Sequence, residues 1–302
     1  MINFSIIIPH KNVSSLLERC ILSIPKREDV QIIVVDDNSS EENIVNLQSI
    51  EHNYKQNNLS ILYLKKSQAN GAGHARNIGL EQAVGKWVVF ADSDDTFESN
   101  ILNTAFDKYV NSEYDIIYFN INCLDTKTKE PMTNADKMYL NNIYSVDDAE
   151  NKCRYKIQVP WGKFVKRKLI EEHNIKFDET KVGNDAWFSL LVGFYAKSIE
   201  IDYSKMYNWM VRSGSITSNK GKEALMIHLK LAYRLNKFKE EHGLSIYRAN
   251  LFTFIPMMVR AKIPVYNAFY LCVKCTPVRY FLNDIINIIL ICLLYTSDAA
   301  DD

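Results

Sequence analysis

At 302 residues the chain can form one large domain or two modest ones, which excludes a miniature scaffold held by disulfides or metals. With 47% hydrophobic and 24% charged residues, ten Gly and seven Pro, it has the composition of a folded globular protein, not a disordered or collagenous one. Thirty-six Lys+Arg balance thirty-six Asp+Glu, so charge provides no reason to expect nucleic acid as a partner. Six Cys, at 20, 123, 153, 272, 275 and 292, lack the density of a disulfide-stapled secreted domain and fit a reducing compartment. Cys272 and Cys275 form a C-x-x-C, but its flanks are apolar and no second Cys/His pair lies nearby, so the pair reads as core.

The N-terminus runs from Met1 straight into the apolar residues 4–8 without a basic lead or cleavage site, the pattern of a protein that starts in the cytosol without a signal peptide. Runs rich in β-branched and aromatic residues at 4–8, 31–35, 60–64 and 87–91 alternate with helical spacing at 14–23, 41–50 and 75–84. This is the βαβ rhythm of a parallel sheet, whose strands are buried on both faces and therefore read as almost continuous apolar segments. A helix near 102–110 and a fifth strand at 115–120 follow. From 124 to 142 the chain turns polar, a surface excursion, and from 146 to 210 it mixes helices with a strand near 199–203. From 222 to 294 the pattern is helical, punctuated by Pro256, Pro264 and Pro277.

The chemistry-bearing residues cluster at predicted strand ends. In open parallel sheets ligands sit outside the carboxyl ends of the strands, so Asp36 and Asp37, closing the second strand, are placed to bond a base or ribose, or else to cap the next helix. Asp92-Ser93-Asp94-Asp95 closes the fourth strand with three acids in four positions. Such crowding is repulsive unless a cation or donors compensate, and carboxylates suit Mg²⁺ or Mn²⁺ completed by phosphates and water. Between them, Gly71-Ala72-Gly73 leads into a helix with Arg76 in its first turn, where backbone N–H groups and a guanidinium suit phosphate. A dinucleotide fingerprint would need a third glycine where Arg76 stands. Further on, Asn184-Asp185 enters a helix, where Asp185 is either a cap or a general base. Trp161, Trp187, Tyr207 and Trp209 are either core or stacking faces for a sugar.

In this order, Ile6 to Asn12, Val35 to Ser39, Ala75 to Gly85, Asp92-Ser93-Asp94, Trp161-Gly162-Lys163-Phe164, Asn184-Asp185 and Tyr207 through Thr217 resemble the family 2 inverting glycosyltransferases of the GT-A fold, used by bacteria to build surface polysaccharides. The resemblance implies an α/β fold with a Rossmann-like, mostly parallel sheet flanked by helices, an α+β acceptor half and a helical C-terminal extension. It divides the chain into a nucleotide-sugar-binding half at 1–123, an acceptor-binding half at 124–218 and a helical region at 219–292. It implies a donor loop containing Pro9 and Asn12, Asp37 on the nucleotide base, Arg76 beside the nucleotide, Asp92 with Ser93 on ribose or sugar, and Asp94 on a metal, Mn²⁺ or Mg²⁺. Asp185 would take the proton from the acceptor hydroxyl. Two departures stand out: Lys11 occupies a place that is often aromatic, and Asn184 one that is often Glu.

Arg212, followed by Ser213-Gly214-Ser215, lies in a loop that either closes over the diphosphate or is simply exposed. The apolar run 285–294, preceded by Lys274 and Arg279, is too short to span a bilayer and is either an in-plane anchor or a buried helix. Residues 293–302 resemble translated sequencing-adapter read-through and are set aside as a non-native tail. The expected protein is cytoplasmic, in one reading peripheral at the inner face of the cytoplasmic membrane. The resemblance implies a nucleoside-diphosphate sugar as donor, a UDP-sugar by default because most of the family uses uridine, and a glycan or lipid-linked acceptor. The rival from another class is a non-catalytic nucleotide-sugar-binding module, with Asp185 only a cap.

Overall fold

The computed structural model describes residues 1–54, 58–132, 148–211 and 221–286. The chain divides into two compact units, Met1–Ser213 and Gly214–Asp302. Arg212, the residues after it to 220, and the run from 287 onward lie outside the described residues.

The first unit is built on an eight-stranded sheet in the order β3-β2-β1-β4-β7-β6-β8-β5. Its first part is β1 (Phe4–His10), α1 (Ser14–Leu22), β2 (Val30–Asp36), α2 (Glu41–Tyr54), β3 (Leu59–Tyr63), α3 (Gly71–Gln82) and β4 (Trp87–Phe90). These four strands are parallel neighbours, as the continuous apolar runs require. Every residue of β1 is buried, and Phe4, Phe106 and Phe164 pack against one another with ring centroids 4.4 to 5.7 Å apart. Successive strands are added on one side of β1 as far as β3 and on its other side from β4, so the strand order reverses between the parallel β1 and β4, the switch point at which open α/β sheets bind ligands. Pro9 is tolerated in this central strand because β4 pairs only with Phe4 to Ile7; beyond that point the missing N–H of Pro9 has no β4 ladder to break.

The second part adds β5 (Thr96–Phe97), α4 (Ser99–Tyr109), β6 (Ile116–Asp125), α5 (Ala149–Lys156), β7 (Lys163–Lys166), α6 (Arg167–Glu172), α7 (Ala186–Tyr195) and β8 (Ile199–Val211). Here the sheet is mixed: β7 runs antiparallel to β4 and β6, β8 is parallel to β6, and β5 is antiparallel to β8. The strand expected at 199–203 continues to Val211, because its pairing with β6 is carried past an irregularity at Phe119–Ile121 and resumes at Ile121 opposite Tyr207. Helix α3 begins at Gly71 and not near Ala75. It packs so closely that a Cβ on Gly79 would sit 2.4 Å from Ile7 Cγ2.

The second unit holds α8 (Lys222–Glu241), α9 (Ile255–Arg260), α10 (Val265–Cys275) and a helical stretch at 278–286, as the proline-punctuated pattern led one to expect. Leu229, Leu251, Phe252, Met258, Ala268 and Cys272 form its core. Cys272 is fully buried and its thiol donates to the Leu251 carbonyl at 3.2 Å, so it serves packing.

Candidate active site

The carboxyl ends of β1 and β2 are locked to each other. His10 Nε2 accepts from the Val13 N–H at 3.2 Å, which assigns the proton to Nδ1, and Nδ1 lies 2.8 Å from Asp36 Oδ1. Asp36 also accepts from the N–H and hydroxyl of Ser39. Burial alone would raise the Asp36 carboxyl, but the His10 and Ser39 donors outweigh it and hold the group below its usual range. Asn12, at φ 56, accepts from Ser40 N–H at 2.8 Å, and its own N–H donates to Ser39 Oγ at 2.8 Å, pinning the two loops together.

Asp37 does not cap the helix that follows it. Its Oδ1 accepts from Asn70 N–H at 2.9 Å and Gly71 N–H at 3.2 Å, so it caps α3, and its Oδ2 accepts from Lys11 Nζ at 3.1 Å. The helix start expected to offer amides to phosphate therefore has the amides of 70 and 71 already engaged. Lys11 is the replaceable partner, since its side chain is 52% exposed while that of Asp37 is 7% exposed.

From α3 the structure reaches the other motifs. Arg76, buried with its guanidinium over the Phe177 ring at 5.4 Å, donates from Nη2 to Asp92 Oδ1 at 2.6 Å and from Nη1 to Asn184 Oδ1 at 2.8 Å. One side chain thus joins the acidic run after β4 to the Asn184-Asp185 pair before α7, elements separated by about half of the first unit's sequence. The planar fork of Arg suits such a two-acceptor bridge. The loop carrying Asn184 is held on α3 from several sides. Asn77 exchanges bonds with the Phe177 backbone, Glu179 bonds Asn70 and His74, and the Asp178 carbonyl approaches Gly73 so closely that a Cβ there would be 2.0 Å away. Gly73, read as part of a phosphate loop, is required by this approach.

Asp185 occupies the N-cap position of α7, yet its side chain makes no capping bond. Burial raises its carboxyl above the usual range; the nearby positive charge of Arg76 is the main opposing effect. Such an acid can exchange a proton nearer to neutrality than an ordinary carboxylate. One turn on, the Ser189 hydroxyl donates to Val159 O at 3.0 Å and receives a long 3.5 Å bond from Lys163 Nζ. Lys163 is completely buried, lies 5.4 Å from the Tyr118 ring centroid, and is pushed down to about 7, by desolvation against the pull of Asp185.

In the acidic run, Ser93 is buried whereas Asp92 and Asp94 are half-buried. Asp95 is buried, accepts from Met210 N–H at 2.7 Å and from the Tyr207 hydroxyl at 2.7 Å, and that same hydroxyl accepts from Asp92 N–H at 2.9 Å. Burial, then the charges of Asp92 and Asp94, raise the Asp95 carboxyl well above its usual range. Arg19 Nη2 donates to the Asp94 carbonyl at 2.7 Å, fixing the backbone of the run. Among the described residues no three His, Cys, Asp or Glu side chains gather as a metal cage. A divalent ion held by one or two carboxylates and completed by phosphates needs no such cage, and Asp94, beside acids whose mutual repulsion raises Asp95, fits that requirement.

Asp95 and Lys163 are functional candidates that the motifs leave without a role. Asp95 is visible only as part of the acidic run, and its link to Tyr207 spans 112 residues. Lys163 has one sequence signal, a lysine set between Trp161-Gly162 and Phe164-Val165. The aromatics divide. Trp161 and Tyr207 are core, stacked at 5.2 Å, whereas Trp187 and Trp209 are partly exposed.

The sheet order, the α/β half and the mixed half define a GT-A fold, and solved structures agree. TarS of S. aureus in complex with UDP-GlcNAc matches with a TM-score of 0.58 at 21% identity, covering 91% of this chain and 89% of that one. The mannosyltransferase PcManGT of Pyrobaculum calidifontis, in complex with GDP-Man and Mn²⁺, matches at 0.62 and 16% identity, covering 99% and 80%. The model of glycosyl transferase family 2 matches residues 5–173, and the chain belongs to that family. A Campylobacter jejuni GalNAc(5)-diNAcBac-PP-undecaprenol beta-1,3-glucosyltransferase is 31% identical over 236 residues, covering 76% of this chain and 72% of its own. Against the glycosyltransferase GlyA of Streptococcus pneumoniae, 27% identical over 231 residues and 70% of this chain, and the minor teichoic acid biosynthesis protein GgaB of Bacillus subtilis, 30% identical over 277 residues and 87%, the chain spans 31% and 28% of the relative's length.

Proposed function

We propose that this chain transfers a sugar from a nucleoside-diphosphate sugar, with UDP as the leading nucleotide, to a hydroxyl of a glycan or lipid-linked acceptor, inverting the anomeric centre, during assembly of a bacterial surface polysaccharide. The observation that carries this reading is the Arg76 bridge, which joins Asp92 of the acidic run to the loop presenting the uncapped Asp185. The names of the relatives, among them a teichoic acid protein and a glucosyltransferase acting on an undecaprenol-linked glycan, support the acceptor class. The neighbour holding UDP-GlcNAc supports the donor class.

In this reading residues 1–123 bind the donor and 124–218 the acceptor. The donor lies at the β1/β4 switch point, beside the loop of Pro9 and Asn12. Asp37 receives the base where Lys11 can swing away, and Asp92 and Ser93 take ribose or sugar. Asp94 would hold Mn²⁺ or Mg²⁺, which when bound supplies Lewis-acid stabilisation of charge on the departing diphosphate. Arg212 is assigned to the donor diphosphate by its charge and its place in the sequence. Asp185 accepts the acceptor's hydroxyl proton as that oxygen bonds to the anomeric carbon; the bond from carbon to phosphate oxygen breaks, and the nucleoside diphosphate leaves. A single displacement inverts the centre. The site works on the cytoplasmic side, where nucleotide sugars are made.

Asp185→Asn tests the reading. Transfer from a panel of nucleoside-diphosphate sugars should fall by about a hundred- to ten-thousandfold with donor affinity retained. A wild-type protein that binds a donor but neither transfers nor hydrolyses it would instead be a binding module.

A further inference from the structure

From 244 to 286 the chain carries five bases, Arg248, Arg260, Lys262, Lys274 and Arg279, and one acid, Asp284. Arg248 and Asp284 are inward, 3.7 Å apart, with side chains 5% and 12% exposed. Arg279 is exposed and reaches Glu240 at 3.3 Å. Arg260, Lys262 and Lys274 are also exposed, so the surface contributed by this stretch is positive. Between these charges the surface is apolar. The inner face of α10 uses Ala268 and Cys272 for the core, with Phe269 beside them against Phe252 and Phe281, while its outer face shows Tyr266 and Tyr270, 71% and 62% exposed. The stretch 278–286 repeats the pattern: Val278, Leu282 and Ile286, spaced four apart on one helical face, are exposed, Val278 to 91%. Helix α8 of the same unit shows what its ordinary solvent face looks like, with Lys222, Glu223, Lys230, Arg234, Lys237 and Glu241 exposed. A helix apolar on both faces has a further partner.

We propose that the outer face of α10 and 278–286 docks on an anionic lipid bilayer, lying in the interface. Three bases with no exposed acid among them complement anionic headgroups, and tyrosines with an apolar body and polar tip suit the interfacial layer. A second copy of the chain is disfavoured by the same charges, since a two-fold contact would bring like charges together. Among the described residues no helix is long and apolar enough to cross the membrane, so the element lies on the surface. The docking surface stands without the catalytic reading; its use, bringing the enzyme to a lipid-linked acceptor, rests on that reading.

The test is flotation of the full chain with vesicles of phosphatidylcholine alone or mixed with phosphatidylglycerol. Binding to the mixed vesicles only, weakened by salt, is expected. Lys262→Ser with Lys274→Ser should lower the partition roughly 25-fold, about fivefold for each base. Tyr266→Ser with Tyr270→Ser should release the protein at unchanged charge, and both pairs should keep the wild-type circular dichroism and nucleotide affinity. Equal binding to both vesicles, no binding, or a concentration-dependent dimer lost in the tyrosine pair would each overturn the proposal. A wild-type protein that floats with the mixed vesicles but transfers no sugar would count against the catalytic reading alone.

Discussion

The acidic sites at the ends of β2 and β4, on either side of β1, are built on different terms. At residues 36 and 37 the fold supplies a donor for each carboxylate: His10 and Ser39 for Asp36, and Lys11 with the amides of Asn70 and Gly71 for Asp37. At 92–95 and 185 it crowds carboxylates together, raises two of them, and leaves Asp185 at a helix N-cap without the bond that position invites. Asp36 stabilises the fold; Asp92 and Asp95 also have protein donors, in Arg76 and in Tyr207 with the Met210 amide, and in the proposed reading the remaining repulsion of the second site is relieved by what it binds. Substitution should separate the two.

The largest effect expected is on turnover. Asp185→Asn should cost about a hundred- to ten-thousandfold in kcat with little change in Tm, because the side chain makes no capping bond. Its pH profile carries a sign: the base must be ionised, so kcat falls as pH drops through a carboxyl raised above the ordinary value near 4. Asp36→Asn should do the reverse, costing roughly 2 to 3 kcal/mol of stability through loss of charged hydrogen bonds. Because its folded carboxyl is held low, that stability is present above about pH 4 and is lost as pH falls through the lowered value. Chemical denaturation at pH 7 and pH 3 measures it, and a difference that does not shrink in acid would refute the assignment.

A smaller effect probes Lys163, the buried cation below the first turn of α7. Its folded value of about 7 lies under the ordinary 10.5, so the cost of burying it is full below pH 7 and fades as pH rises from 7 to 10.5. Lys163→Met should be neutral or raise stability by up to about 3 kcal/mol at pH 6, with a smaller gain at pH 9. Since the Lys163 charge favours ionised Asp185, the same variant should move the acid limb of kcat to higher pH. A stabilised variant with an unmoved limb would make the lysine structural only.

Much of this was readable beforehand, and the physical reason is locality. Strands β1 to β4 are buried on both faces, and their acids sit where the apolar runs stop, so both fold half and motif placement follow from neighbouring residues. The mixed half hides its order. The pairing of β6 with β8 joins residues about 85 apart, and the irregular register at Asn120 interrupts the alternation that would have extended the strand to Val211. The target of Asp37 is likewise set by α3, 33 residues away, so the local sequence suggested the wrong helix. The Arg76 bridge to Asn184 spans 108 residues and no spacing rule announces it.

The central claim is that the run ending at Asp95 grips a divalent ion and, with it, a diphosphate. Calorimetric titration of UDP, GDP and dTDP into the wild type and Asp94→Asn, each with and without Mn²⁺, tests it most directly. The account predicts that at least one nucleotide binds the wild type more than tenfold tighter with Mn²⁺, and that Asp94→Asn removes the gain. Binding that ignores Mn²⁺ in both proteins, or no binding by any of the three, would contradict it.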